Sequence, residues 1–294
     1  MNRLKTALKP RIHKWRTNFY LLRKNKLTFL SLLFIILLVV VAIFAPLLAP
    51  HPEHIMEMTN PSEKLLPPSG EYWFGTDELG RDIFSRILYG TRISLLASLA
   101  AVGLAMLIGI PLGALAGYKG GWIDNVIMRI CDIFLSFPSL LLAIVIAAFA
   151  GPSLKNALIA IAISWWPWYA RIVRGQAISL KERQFVRASR AIGNTQGKII
   201  FQHIVPNCMA PVIVQASLDF GSIILTLASL SFLGLGAQAP TPEWGLMINT
   251  SKTYFLNAWW YSVFPGIAIF LAVLAFNLIG DGLREIMDPR TRNR

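Results

Sequence analysis

Charge is scarce in this chain. Of its 294 residues only 15% are Asp, Glu, Lys or Arg, against 55% hydrophobic, and the mean hydropathy is +0.55. A soluble domain cannot hide that much apolar surface, so the composition points to an all-α polytopic membrane protein. Cysteine is scarcer still. Cys131 and Cys208 both lie in or beside apolar stretches, which argues against a structural disulfide and leaves the redox compartment open. Acids are missing altogether from residues 1–26, where nine of the 28 Lys and Arg stand. Seven more fall between Arg171 and Lys198. A net charge of +13 could suggest a nucleic-acid partner, but these residues flank apolar runs, which is the positive-inside signal of a membrane protein. No nucleic acid is expected as a partner.

Catalytic motifs are also absent. There is no His-Glu-x-x-His, no cysteine pair and no matched nucleophile and base. The nearest approach to a phosphate loop is Gly193-Asn-Thr-Gln-Gly197-Lys198-Ile199. Its glycine spacing is one residue short, and Ile199 stands where a Mg²⁺-binding hydroxyl is needed. Any ATP and Mg²⁺ chemistry therefore belongs to another chain, and this one is expected to bind no cofactor. His51-Pro-Glu-His54 offers possible ligands, but it reads as a solvated loop, and no metal is expected.

What is present is a run of spans. Leu27–Leu48 is apolar without a charge, long enough at about 1.5 Å per residue to cross about 30 Å of hydrocarbon. Residues 49–90 are rich in proline and acids and read as an extracytoplasmic loop, ending in a turn and a short helix around 74–86. Further spans are expected at about 93–115, 126–150, 157–173, 212–235 and 259–278, six in all, with both termini cytoplasmic. The second carries Ala97, Ala101, Ala105, Gly109, Gly113 and Gly117, a ladder at intervals of four that lets another helix approach closely. Ser136-Phe-Pro138 is expected to kink the third. The core is thus 91–284, followed by a cytoplasmic tail, 285–294.

A basic cytoplasmic loop, 174–206, joins the fourth and fifth spans. Arg183, Arg187 and Arg190 share one helical face, with Phe185, Ala188 and Ile192 opposite. Gly193 and Asn194 supply a stop. Thr195 can cap a second helix with Ile199, Ile200, His203 and Ile204 on its apolar side, ended by Pro206. This reads as a docking element for a soluble partner. In the fifth span Gln215, Asp219, Ser222, Thr226 and Ser229 fall near one line. Such a stripe either holds helices together or lines a wet path, and Asp219 favours the path because a carboxylate facing lipid is costly. Asp132 is expected to pair with Arg129 or a basic loop residue, and Trp165, Trp166 and Trp168 to serve packing or the interface.

Several stretches resemble the permeases of binding-protein-dependent ABC importers. Their EAA motif is Glu-Ala-Ala, three residues, Gly, nine residues, Ile-x-Leu-Pro. Here Arg187-Ala188-Ser189, Gly193 and His203-Ile204-Val205-Pro206 stand in register. The first Ala, the Gly and the Pro match, while Arg187 replaces the glutamate. Phe74-Gly-Thr-Asp77, Gly80-Arg-Asp82, Ser231-Phe-Leu-Gly-Leu-Gly236, Pro242-Glu-Trp-Gly245 and Phe276-Asn-Leu-Ile-Gly-Asp-Gly-Leu-Arg284 are similar to the dipeptide-permease C type of the peptide and nickel branch. The resemblance implies a type I ABC importer permease fold in the cytoplasmic (inner) membrane of a prokaryote. It implies a homologous second permease, two ABC ATPase subunits, an extracytoplasmic solute-binding protein and the lipid bilayer as partners. Arg187, Ala188, Ser189, Arg190, Ala191, Ile192 and Gly193 would form the coupling helix against an ATPase. Relatives of this pattern carry dipeptides, oligopeptides, glutathione, opines or nickel chelates. The competing reading is an ion-coupled secondary transporter or channel complete in one chain. It calls for deep charges in several spans and an internal repeat; only Asp219 is clearly deep, and no repeat is visible.

Overall fold

The computed structural model describes residues 25–56 and 58–287. The expected basic segment up to residue 24 and the end of the tail from 288 lie outside the described residues. α1 spans Lys26–Leu48, opened by Asn25, whose side chain accepts from the Thr28 N–H at 3.3 Å. It is apolar all round: Leu27, Leu30, Ile43 and Leu47 are exposed, Leu47 by 82%. Such a surface is stable only in lipid.

The loop between α1 and the next helix, expected to be solvated, is folded. His54 is buried; its Nδ1 accepts from the Asp82 N–H at 3.2 Å, and its ring stacks on His51. Arg81 donates to Asp77 at 2.7 Å and to the Met56 carbonyl at 3.0 Å. Arg86 reaches the carbonyls of Ile55 and Pro240. Thr76 and Asp82 form an isolated bridge around a turn. Asp82 then caps α2, Ile83–Lys119, accepting from the Ser85 N–H at 2.8 Å. The short helix expected near residue 83 is therefore the first part of a continuous helix of 37 residues. At about 1.5 Å per residue its length, roughly 55 Å, exceeds the hydrocarbon and carries its outer end beyond it.

The small-residue ladder does what its spacing requires. It faces α5, Leu154–Lys181. A Cβ on Gly109 would meet the Trp166 carbonyl oxygen at 2.5 Å, and one on Gly117 the Arg174 carbonyl oxygen at 2.6 Å. Between them in sequence lie α3, Gly121–Leu135, and α4, Ser139–Ala150. The kink expected at Ser136–Pro138 is an 88° break between these two. Pro138 has no N–H to continue the α3 ladder.

Beyond α5 come α6, Gln184–Ala191, and a short α7, Gln196–Ile199. Thr195 caps α7, as expected. Pro206 does not end the second helix. Ile200–Ile204 widen into a π turn, in which the Val205 N–H bonds the Ile200 carbonyl. The chain then runs on as α8, Val205–Phe232. The wide turn gives the proline ring the room that an α turn denies it. The segment between the fifth and sixth expected spans holds a buried helix, α9, Trp244–Ser251. α10, Trp259–Met287, closes the fold.

Among the described residues four helices are long and apolar enough to cross a membrane, or five if α3 and α4 make one span. The six-span expectation is met to that extent. The remaining stretch, 157–173, lies in α5. Its centre is Trp165-Trp166-Pro167-Trp168-Tyr169 and its inner half carries Arg171 and Arg174, which lowers its apolar content. It is also well enclosed by other helices, with Ala160, Ile161, Tyr169, Ala170 and Val173 fully buried, so it needs less lipid-compatible surface. The core lies where α2, α5 and α8 meet.

Candidate functional site

The basic loop folds into a small platform. Arg183 is extended and precedes α6. At its other end the Gly193 N–H bonds the Arg190 carbonyl at 3.0 Å and the Asn194 N–H the Ser189 carbonyl at 3.2 Å. Gly193 sits at φ +84, the left-handed conformation this double bond requires. Asn194 also donates to the Ser189 hydroxyl at 2.9 Å. Val186 and Ser189 are buried, and Val186 joins Ile199, Ile200 and Ile204 in the core. Ser189 thus faces this chain's own α7 segment rather than outward.

The other sequence-predicted residues of the platform, Arg187, Ala188, Arg190, Ala191, Ile192 and Gly193, are exposed, Ile192 by 79%. The arginines have partners within the chain. Arg187 donates to Glu182 at 2.8 Å and holds that carboxyl below its usual range. Arg190 lies over the Tyr118 ring, 5.5 Å from its centroid. The open face is therefore Ala188, Ala191 and Ile192. It is small and apolar, with nothing within 4 Å of a Cβ built on Gly193.

Two ion pairs fasten α5 to α3 above this platform: Arg171 with Asp132, and Arg174 with both oxygens of Asp124. The first gives Asp132 the basic partner expected of it, but that partner is Arg171 of α5, outside the 174–206 loop. The second was not anticipated.

The polar stripe of α8 divides. Gln215 donates to Asp219 at 2.9 Å. Thr226 is buried and satisfies itself on the Ser222 carbonyl at 2.8 Å; Ser229 does the same on Leu225. Ser222 is exposed, and Gln215, Asp219 and Ser229 are partly so. Asp219 Oδ2 is enclosed without a hydrogen-bond partner. The hydroxyl of fully buried Tyr169 on α5 is turned to Asp219 and interacts with it. Sequence reasoning missed Tyr169, because only the fold brings α5 to α8. It also gave no role to Glu243. That carboxylate is buried and caps α9 through the Gly245 and Leu246 N–H groups at 3.0 and 2.9 Å. Its signal was the Pro242-Glu-Trp-Gly245 motif. Trp244 beside it donates to the Ile87 carbonyl of α2 at 3.1 Å.

His51, Glu53 and His54 bring ligand atoms within 4.8 Å of one another. His54 Nδ1 is occupied as an acceptor, which puts its proton on Nε2, the nitrogen turned to Glu53. Glu53 Oε1 lies 3.5 Å from His51 Nδ1 and 3.9 Å from His54 Nε2, so the trio is held together within the folded loop.

Residues 109–293 match the family model described as binding-protein-dependent transport system inner membrane component, and residues 14–68 match the N-terminal TM domain of oligopeptide transport permease C. The chain belongs to the binding-protein-dependent transport permeases. This permease is 53% identical over 98% of its length to the dipeptide transport system permease protein DppC of Alkalihalophilus pseudofirmus, covering 92% of that protein. It is 48% identical to the probable D,D-dipeptide transport system permease protein DdpC of Escherichia coli K12, over 92% of this chain and 90% of that one. The glutathione transport system permease protein GsiD of Pectobacterium atrosepticum is 46% identical over 89% of this chain and 86% of its own. In fold the permease is similar to a chain of the MetNI methionine ABC transporter in an inward-facing conformation, with TM-score 0.55 and 20% identity over 70% of this chain and 98% of that one. It is an oligopeptide permease C-type component of an ABC importer, a multi-pass inner-membrane transport component and not the ATPase. Membership implies ATPase and binding-protein partners.

Proposed function

We propose that this permease and a homologous second permease form the path by which dipeptides, or a related small solute such as glutathione, enter a prokaryotic cell. An extracytoplasmic solute-binding protein delivers the solute. Two ABC ATPase subunits, which hold ATP and Mg²⁺, bind the cytoplasmic face. The chain crosses the membrane six times with both termini inside, α5 being the enclosed crossing, in a type I importer arrangement. The observation that carries the coupling role is the platform at Arg187–Gly193: an amphipathic helix whose inner side is anchored and whose small apolar outer side is uncovered.

ATP-driven closure of the ATPases moves α6. Val186 and the Ser189–Asn194 bonds pass that motion to α7 and α8. In α8, Gln215, Asp219, Ser222 and Ser229 offer a polar edge to the path, with Thr226 turned inside. The relatives that carry dipeptides and glutathione support the solute class.

Purification of the tagged chain from native membranes tests the assembly. Two ATPase chains and a second permease are expected with it; their absence would overturn the importer reading in favour of a carrier complete in one chain.

A further inference from the structure

A groove on the lipid-facing side is floored by Val39 and Ala42 of α1, Leu96 and Leu99 of α2, Phe220 of α8 and Phe276 of α10, and encloses about 500 Å³. One charged residue, Arg92, lines it. Arg92 is exposed and has no hydrogen-bond or ion-pair partner among the described residues. Its depth follows from the chain. The His51 N–H bonds the Ser85 hydroxyl at 3.0 Å, which sets the two residues level. α1 and α2 run antiparallel from there, and Arg92 lines the groove beside Ala42 and Ile43, about one turn inside the end of the apolar α1. A guanidinium at that depth is costly unless its long stem lifts the head to the headgroup layer and an anion meets it. From Arg92 to Leu99 the groove descends a further ~10 Å toward the bilayer centre, with an apolar floor.

We propose that this groove is a phospholipid site of the outer leaflet. The phosphate diester sits on Arg92, whose fork of N–H donors matches its oxygens, and one acyl chain fills the space between α1, α2, α8 and α10. The floor offers no polar group to a peptide, and an acyl chain needs none. The lipid joins α1 to the body of the fold along a seam where side chains leave a gap. A helix of the second permease is the competing occupant.

The test uses the importer purified with its partner chains in mild detergent, with retained phospholipid counted by native mass spectrometry. The parent complex should hold one phospholipid per copy of this chain through delipidation. Arg92→Gln should lower that occupancy about fivefold, the effect of one cation at a charged membrane surface. Ala42→Phe, which fills the groove and leaves Arg92 in place, should lower it as well. Occupancy unchanged in either variant overturns the site. If the variants fail to assemble, a photo-cross-linking residue at Leu96 of the otherwise native chain decides: capture of phospholipid supports the site, and capture of a protein chain overturns it.

Discussion

Gly113 lies so close to the carbonyl oxygen of Ala170 that a Cβ would overlap it. No side chain fits between two backbones at that distance, so α2 and α5 touch along main-chain surfaces. Gly113→Val should therefore push the helices apart and cost about 2 kcal/mol, in the range of core overpacking. The thermal midpoint of the purified complex measures it. Gly103, on the same helix, has nothing within 4 Å of its Cβ position. Gly103→Ala should be neutral or raise the midpoint slightly, because alanine is the better helix former.

The Asp124–Arg174 pair joins α3 to α5 through both carboxylate oxygens. Asp124→Asn, Arg174→Gln and their combination form a double-mutant cycle. A coupling of about 1 kcal/mol is expected, modest because Arg174 is partly open to solvent. A coupling near zero would show that the contact only fills space.

Gly193 separates shape from contact. Asparagine tolerates the left-handed conformation, and valine is penalised there by about 1–2 kcal/mol. Gly193→Val should abolish solute-driven ATP hydrolysis while the chain still reaches the membrane. Gly193→Asn should retain the turn and lose less activity. Gly193→Asp should uncouple transport, because it sets a charge on the apolar docking face. Uptake at the parental rate in Gly193→Asp, with the complex assembled, would remove the docking role from this segment.

Asp219 is tied to Gln215 and stands by Tyr169. Asp219→Leu should reduce uptake by about tenfold, equivalent to about 1.4 kcal/mol, with assembly intact. If the complex falls apart and uptake per assembled complex is unchanged, the stripe serves helix packing.

Much of the fold could be read from pattern. The ladder from Ala97 to Gly117 announced close packing because its period is a property of the helix alone. Only the fold could show that α5 is its partner. Gly193 and Thr195 announced a stop and a start for the same local reason. Elsewhere local signals misled. Pro206 looks like a helix end, and only the π turn at Ile200–Ile204 lets the helix pass it. α9 is eight residues long, too short for periodicity to stand out. The outer loop looked solvated because its acids and histidines are polar. His54, Asp77 and Asp82 are nonetheless buried, bonded to Arg81, Ser85 and the backbone, a matter of three-dimensional pairing that composition does not encode. The same holds for Thr226, which shares a line with Asp219 yet turns inward.

The passage from Gln196 to Phe232 has a mechanical meaning. These 37 residues run without a loop from the platform at Arg187–Gly193 to the far end of α8, a rod of roughly 55 Å. A rod of that length pivoting by only about 5° about its platform end sweeps its far end through about 5 Å, on the order of one helical turn. The π turn near its base, beside the anchoring Val186, is a natural fulcrum. A small rocking motion at the base is thus geared up into a displacement comparable to the width of a peptide backbone.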